Sequence, residues 1–364
     1  MLRGKLDRIG IGDATFTVND AAGKVLHHCA IKPDPEGAVD VVLDWLESQP
    51  SFVSIRAVGH RVVHGMRHSK PELITTDLLN DLRRITLYDP EHLPREIELI
   101  EALRERHPNL PQLACFDTAF HCDMPQLARL LPIPRKYQAL GVERYGFHGL
   151  SYAYLMEELV RLGDPAATHG RVILAHLGNG ASLAAVCDGR SIDTSMGFTP
   201  GAGLMMSTRT GDLDPGMSFF FAQTEQMTAA QFQRLVNHES GLLGVSEISS
   251  DMRDLLSLET TDVRAAEAVA LFCYQVAKWI GAFAAVLGGV DTLVFAGGIG
   301  ENAPIVRTRV CERLAFLGIE LDESRNAATG AVISGDACRC VVRVIRTDEE
   351  MMIARSLQRF KELL

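Results

Sequence analysis

The chain lacks any C-x-x-C pair. Its eight cysteines stand at 29, 115, 122, 187, 273, 311, 338 and 340, and only the last two are close. That scatter argues against a zinc ribbon or a disulfide framework and predicts reduced thiols in a cytosolic protein. Basic charge is also in deficit. A net charge of −10 leaves no broad surface for nucleic acid, although local arginines can still hold a small anion. No G-x-x-x-x-G-K-[ST] string occurs, which leaves a P-loop fold unsupported, and no G-x-S-x-G, which does the same for a hydrolase elbow. The opening residues Met1 to Asp7 contain no apolar h-region, so a secretory signal is not expected. The most apolar helix candidate, 263–287, is interrupted by Arg264, Glu267, Gln275 and Lys278, and reads as a core helix rather than a membrane span. There is no low-complexity tract, short repeat or Gly/Ser linker.

What is present is ordinary for a globular protein: 47% hydrophobic and 23% charged residues. A length of 364 residues gives a prior of about two domains of roughly 150 residues each. Apolar runs predict strands over 25–31, 55–63, 113–116, 172–176, 183–186, 292–296 and 341–345. Amphipathic stretches predict helices over 37–48, 94–106, 151–162, 229–238, 263–287, 304–316 and 349–363. The mixture points to an α/β fold. The proline- and turn-rich stretch 125–144 is the weakest region. The boundary is therefore expected near it, with domains at 1–119 and 120–350, and the closing segment 351–364 is expected to return to the first.

Two strand-to-glycine turns carry the functional signal. One is Gly298-Ile299-Gly300-Glu301-Asn302 after the apolar run ending at Ala296. The other is His176-Leu177-Gly178-Asn179-Gly180 after Val172 to Ala175. Such turns bring backbone N–H groups close to phosphate and suggest a nucleotide held between them. The first satisfies G-x-G-x-x-A, but it lies too near the C-terminus for a full dinucleotide-binding set. His60 and His64 stand four apart. On a strand that spacing covers about 13 Å, too far for one metal ion. Arg61 between them can grip a carboxylate or phosphate, although taken alone a surface or structural arginine is the better reading. Arg209 lies in the polar loop Ser207 to Pro215, where it could stabilise a transferring phosphoryl group or simply pair with local aspartates. Asp117 follows a strand, and is either a ligand-facing carboxylate or a helix cap. His148 sits between glycines at a helix entry, where an anion is favoured but an ordinary histidine also fits.

Taken together, the strings resemble the acetate kinase family, within the superfamily of actin, sugar kinases and heat-shock ATPases. The matching stretches are Val58 to Gly65, Cys115 to His121, Arg144 to Gly149, His176 to Ser182, Asp193 to Pro200, Gly203 to Pro215, Gly297 to Asn302 and Thr347 to Glu350. They run in family order over nearly the whole chain. The resemblance implies a two-domain actin-like ATPase (ribonuclease H-like) fold with a central cleft. It implies reversible phosphate transfer between ATP and a short-chain carboxylate, giving ADP and acyl phosphate, with Mg2+ or Mn2+. By that match Arg61 and Arg209 hold the phosphoryl group and His148 steadies the transition state. Asp117 takes the position usually given to proton handling. A carboxylate of pKa about 4 to 5 needs no general base, so orienting an arginine or a metal-bound water suits Asp117 better. His176, Leu177, Gly178, Asn179, Gly180, Asp251, Met252, Arg253, Gly298, Ile299, Gly300, Glu301 and Asn302 hold the nucleotide. Glu349 is the metal-linked carboxylate, and Val63, Leu87, Phe147 and Pro200 form the acyl pocket. The resemblance implies a homodimer and no nucleic-acid or membrane partner.

The sequence departs from the family at several points. The family's opening N-x-G-S-S-S-x-K turn has no counterpart before Met1-Leu2-Arg3-Gly4-Lys5, so a central strand and phosphate contacts are expected to be missing. The corresponding expectation is weak or no kinase activity, with a nucleotide-binding protein of the same fold as the alternative. Tyr88, Asp89, Met66, Gly201, Ala202 and Ser207 also differ. These changes are expected to cluster at the acyl site, where they favour propionate or butyrate as rivals to acetate.

Overall fold

The computed structural model describes residues 2–7, 14–31 and 35–361. The chain divides into two units, one comprising Met1–His60 and Glu72–Ala114, the other Arg61–Pro71 and Cys115–Leu364. The division falls after Ala114, and the short segment Arg61–Pro71 groups with the second unit.

In the first unit, β1 (Arg3–Asp7), β2 (Thr15–Asn19) and β3 (Val25–Ala30) form an antiparallel sheet in that order. Neither β1 nor β2 is among the expected strands. In β2 the side chains alternate, with Phe16 and Val18 buried. Phe16 meets Trp45 of the helix Pro35–Ser48 edge-on, their ring centroids 5.7 Å apart. A second sheet has the order β4 (Val58–Val62), β6 (Gln112–Phe116), β5 (Glu72–Leu73). The helices Thr76–Arg84 and Leu93–Arg106 belong to the same unit. Thr75 caps the first by accepting from the Leu78 N–H, and proline opens the second, where a missing N–H does no harm.

The second unit is built on a five-stranded sheet in the order β11-β10-β7-β8-β9. These strands are β7 (Arg171–Leu177), β8 (Ala181–Cys187), β9 (Arg190–Thr194), β10 (Thr292–Ala296) and β11 (Val341–Val344). β10 runs parallel to β7 and β11, while β7-β8-β9 is an antiparallel meander. Side chains of alternate residues serve opposite faces. Ile173, Ala175, Leu293 and Phe295 pack with Phe272, Val276 and Ile280 of the helix Val263–Leu287. Val172, Leu174, Val294 and Ala296 pack with Tyr152, Leu155 and Leu159 of the helix Gly149–Arg161. Both faces are thus covered, which is why these strands read as unbroken apolar runs. The helix Val263–Leu287 is long and apolar enough to cross a membrane. Here its buried face lies on the sheet, and it is bounded by the Asp262 cap and left-handed Gly288.

The closing helix Glu349–Lys361 groups with the second unit rather than the first. Arg355 and Arg359 fix it to Glu157 of the helix Gly149–Arg161, each at 2.6 Å. Residues 362–364, part of the expected closing segment, lie outside the described residues, as do 1 and 8–10 of the opening stretch. The stretch expected as one helix over 304–316 is an α-helix Pro304–Cys311 that tightens into a 3-10 helix Glu312–Leu317.

Candidate active site

Backbone pairing places the first group of polar residues. The Asp117 N–H donates to the Val62 carbonyl at 2.9 Å, setting Asp117 at the carboxyl end of β6 beside the end of β4. The side chain of Arg61 points back to it. Nε and Nη2 of Arg61 donate to one oxygen, Oδ2, at 3.0 and 2.5 Å. The other oxygen, Oδ1, is buried and meets no hydrogen-bond partner among the described residues. Arg61 Nε also lies 3.6 Å from Oε2 of Glu349, the first residue of the closing helix. Burial, followed by the charge of Asp117, pushes the Glu349 carboxyl up to about 7, against the opposing pull of Arg61. One guanidinium thus serves two carboxylates, which leaves the group able to take a further cation.

His148 adopts a left-handed backbone (φ 58°, ψ 26°) just before the helix Gly149–Arg161. The next residue can only be glycine, because a Cβ there would overlap the Asp117 carbonyl oxygen, which accepts the Gly149 N–H at 2.8 Å. His148 stacks on His176 with ring centroids 4.2 Å apart. Its Nδ1 lies 2.8 Å from Ser182 Oγ, which in turn lies 2.5 Å from the Tyr152 hydroxyl. On the opposite edge, a Cβ at Gly180 would sit 3.1 Å from His148 Nε2 and 3.7 Å from Arg209 Nη1. His148 and Arg209 therefore meet over Gly180. Burial first, then His176, Arg61 and Arg209, hold the His148 imidazole well below its usual basicity. Both arginines expected from sequence thus bear on one histidine. His176 is brought down to about 4 by burial and Arg61.

The two glycine turns adjoin. A Cβ at Gly178 would come 3.6 Å from His176 Nε2 and 3.8 Å from the Gly298 nitrogen. Gly297 (φ 76°) packs against the Leu177 backbone, where any side chain would clash. The second turn winds into a short helix, Gly297–Asn302. Asn302 Nδ2 donates to the Gly298 carbonyl at 2.9 Å. Glu301 Oε1 accepts from the N–H groups of Gly297 (2.9 Å) and Thr347 (3.1 Å). Space above Gly298 is open. Beneath the turn lies the buried guanidinium of Arg307, which donates to the carbonyls of Gly300 and Glu301 at 2.8 and 2.9 Å.

Other expected residues are placed differently. The side chains of Leu177 and Met252 are buried in the core, so only their backbones could meet a nucleotide. Asp251 caps the helix Met252–Leu258 and pairs with Arg253 at 2.6 Å. Val63 and Phe147 are buried together in the core of the second unit, and Pro200 offers its carbonyl to Arg209 at 3.4 Å. Leu87 belongs to the first unit, and its side chain is exposed. Ser207, expected near the acyl site, is instead tied to the first glycine turn by its N–H to the Asn179 carbonyl at 3.1 Å. Sequence reasoning gave no role to Tyr152, Ser182, Thr347 or Arg307. Only Arg307 left a signal, a charge between the buried Val306 and Val310.

The Acetokinase family model matches residues 1–355. An acetate kinase of Rhodopseudomonas palustris is 46% identical over 336 residues, which cover 90% of this chain and 84% of that one. The crystal structure of Porphyromonas gingivalis acetate kinase superimposes with a TM-score of 0.88 at 35% identity, covering 98% of this chain and 92% of that one. A propionate kinase from Francisella tularensis gives 0.90 at 34% identity with the same coverage.

Proposed function

This chain belongs to the acetate kinase family, and from that premise we propose that it transfers the γ-phosphoryl group of ATP to the carboxylate of a short-chain acid, acetate foremost. The fold is the α/β, actin-like one of its solved relatives. The single observation that carries the reading is the convergence of Arg61 and Arg209 on His148, above a glycine turn that touches the Gly298 turn.

The chemistry follows from charge. A carboxylate oxygen attacks the γ-phosphorus, a new P–O bond forms, and the bond to the β–γ bridging oxygen breaks, with its electron pair leaving on ADP. The attacking carboxylate is already ionised at neutral pH, so no base is required. What the site must supply is neutralisation of the spreading negative charge in a fixed geometry. Arg61 and Arg209 provide two guanidinium groups, and His148, within the field of both, provides a neutral ring nitrogen. Asp117 orients Arg61 through two hydrogen bonds to one oxygen. The Gly178 and Gly298 turns offer backbone to the nucleotide.

The residues present fit a divalent cation. A buried carboxylate oxygen of Asp117 lacks a partner, and the neighbouring Glu349 carboxyl is held near neutrality beside it. One or two carboxylates completed by phosphate oxygens and water is the ordinary magnesium set. Asp117 and Glu349 would hold the ion, which supplies positive charge at the phosphates when bound.

The test is acyl-phosphate trapping as hydroxamate with MgATP and acetate, propionate or butyrate. Acetyl hydroxamate at the highest kcat/KM supports the reading. Nucleotide binding without acyl hydroxamate from any of the three acids would refute it. The family resemblance also supports a homodimer in the cytosol, where ATP is at hand. Sedimentation velocity showing a monomer across micromolar concentrations would overturn the dimer.

A further inference from the structure

We propose that Tyr152 and Ser182 form a hydrogen-bond relay that fixes His148 as its Nε2–H tautomer and aims that N–H at the space shared with Arg209. Both are then positioning residues for the phosphoryl transfer. The inference deepens the function proposed above and rests on it only for the role of His148.

The argument is one of hydrogen-bond accounting. Tyr152 is fully buried, and its hydroxyl has Ser182 Oγ, at 2.5 Å, as its hydrogen-bond partner. A phenol has one hydrogen to give. Were Ser182 to donate to Tyr152, that phenolic hydrogen would be left in the core with no acceptor among the described residues, which is unfavourable. Tyr152 must therefore donate to Ser182. The serine hydroxyl, also buried, has one hydrogen of its own and one remaining partner, His148 Nδ1 at 2.8 Å. Ser182 donates there, so Nδ1 is an acceptor and carries no proton. A neutral imidazole protonated at one nitrogen must then carry its hydrogen on Nε2.

Neutrality has its own support. The ring is buried, stacked on His176 and lies in the field of Arg61 and Arg209, and all of these oppose a positive charge on it. The Nε2 edge faces Gly180, where the absence of a side chain leaves the N–H uncovered, with Arg209 Nη1 near the same position. The relay thus converts a residue that could present a lone pair or a hydrogen into one that always presents a hydrogen. A lone pair in that place would repel the phosphoryl oxygens. The scaffold makes this arrangement rigid. Ser182 lies in β8, paired with His176 of β7, and Tyr152 lies one turn into the helix that begins directly after His148.

Nitrogen-15 NMR of the histidine-labelled full chain reads the tautomer directly, with His148 assigned by its loss in His148→Asn. The expected spectrum has a pyridine-type Nδ1 and a pyrrole-type Nε2. Ser182→Ala should mix the tautomers and lower kcat about tenfold while leaving KM for ATP within twofold. Tyr152→Phe should act in the same direction, and Ser182→Thr, which retains a hydroxyl, should restore most of the rate. A pyrrole-type Nδ1 in the unsubstituted protein would overturn the relay. So would Ser182→Ala and Tyr152→Phe that both fold and keep the tautomer and kcat unchanged. A pyrrole-type Nε2 together with full activity in His148→Asn would support the relay and overturn the catalytic reading, so the two failures are distinguishable.

Discussion

Replacing Arg307 by methionine should destabilise the second unit and loosen its hold on nucleotide together. The guanidinium is fully buried and, among the described residues, has no carboxylate partner. Instead, its Nε and Nη2 donate to Asn326 Oδ1 and carbonyl at 2.8 and 2.9 Å, Nη2 also reaches Thr329 Oγ1 at 3.3 Å, and Nη1 reaches the carbonyls of Gly300 and Glu301. Those two carbonyls lie at the end of the short helix Gly297–Asn302, where no further turn exists to satisfy them. Methionine matches the length of the side chain and supplies no donor. A buried acceptor stripped of its partner costs about 1–3 kcal/mol. Several acceptors lose theirs at once, relaxation recovers part, and the expected loss is about 3–5 kcal/mol. The chain has two tryptophans, Trp45 in the first unit and Trp279 against the core of the second. In a Trp45→Phe background, urea unfolding followed by fluorescence reports the second unit alone. A midpoint in Arg307→Met indistinguishable from the parent, with unchanged ATP affinity by calorimetry, would refute the reasoning.

Four further outcomes follow from the site. Arg209→Ala should lower kcat about 10²- to 10⁴-fold, the equivalent of one or two charge-assisted hydrogen bonds in the transition state, with little change in ATP affinity; steady-state kinetics reads this directly. Glu349→Gln should raise the magnesium concentration needed for half-maximal rate, and a magnesium titration showing no shift would remove Glu349 from the ion site. His121 is buried, donates to the Phe147 carbonyl and is brought down to about 4. Between pH 6.5 and 4 the unfolded chain takes up a proton there that the folded chain does not, so this group lowers stability as pH falls, by about 1.4 kcal/mol per unit; in urea unfolding His121→Gln should reduce the slope by that share, with the buried His148 and His176 still contributing theirs. Met66 occupies a left-handed backbone at φ 45°, where glycine is at ease, so Met66→Gly should stabilise the protein by about 0.5–1 kcal/mol, seen as a rise in Tm.

The parts of this fold legible in the sequence are those in which both sides of an element are buried. β7, β8 and β10 appear as apolar runs because helices cover both faces of their sheet, and Asp117 and the glycine turns could be placed at strand ends because the strands before them are buried throughout. β2 was missed as well: Thr15-Phe16-Thr17-Val18 alternates with a period of two, but the run is too short to stand out. β1 was not legible: Arg3 to Asp7 pairs with β2 through its backbone and offers little apolar pattern. The helical winding of Gly297–Asn302 was hidden by its glycines, which favour no element on their own; it is maintained by Glu301, Asn302 and Arg307. Contacts such as Tyr152 with Ser182, or Ser151 with Thr347, join residues far apart in the chain. Such pairings are set by tertiary packing, which local pattern does not encode.

The carboxylate of Glu301 has a consequence for redesign. It clasps Gly297 and Thr347, while the Thr347 hydroxyl reaches Ser151 Oγ, which reaches His176 Nδ1. The Gly297 turn, Thr347, Ser151 and His176 are therefore fastened to one frame, and none of them can be moved alone. A substitution that widens the Gly298 turn therefore also shifts Thr347 and, two residues on, the start of the closing helix at Glu349.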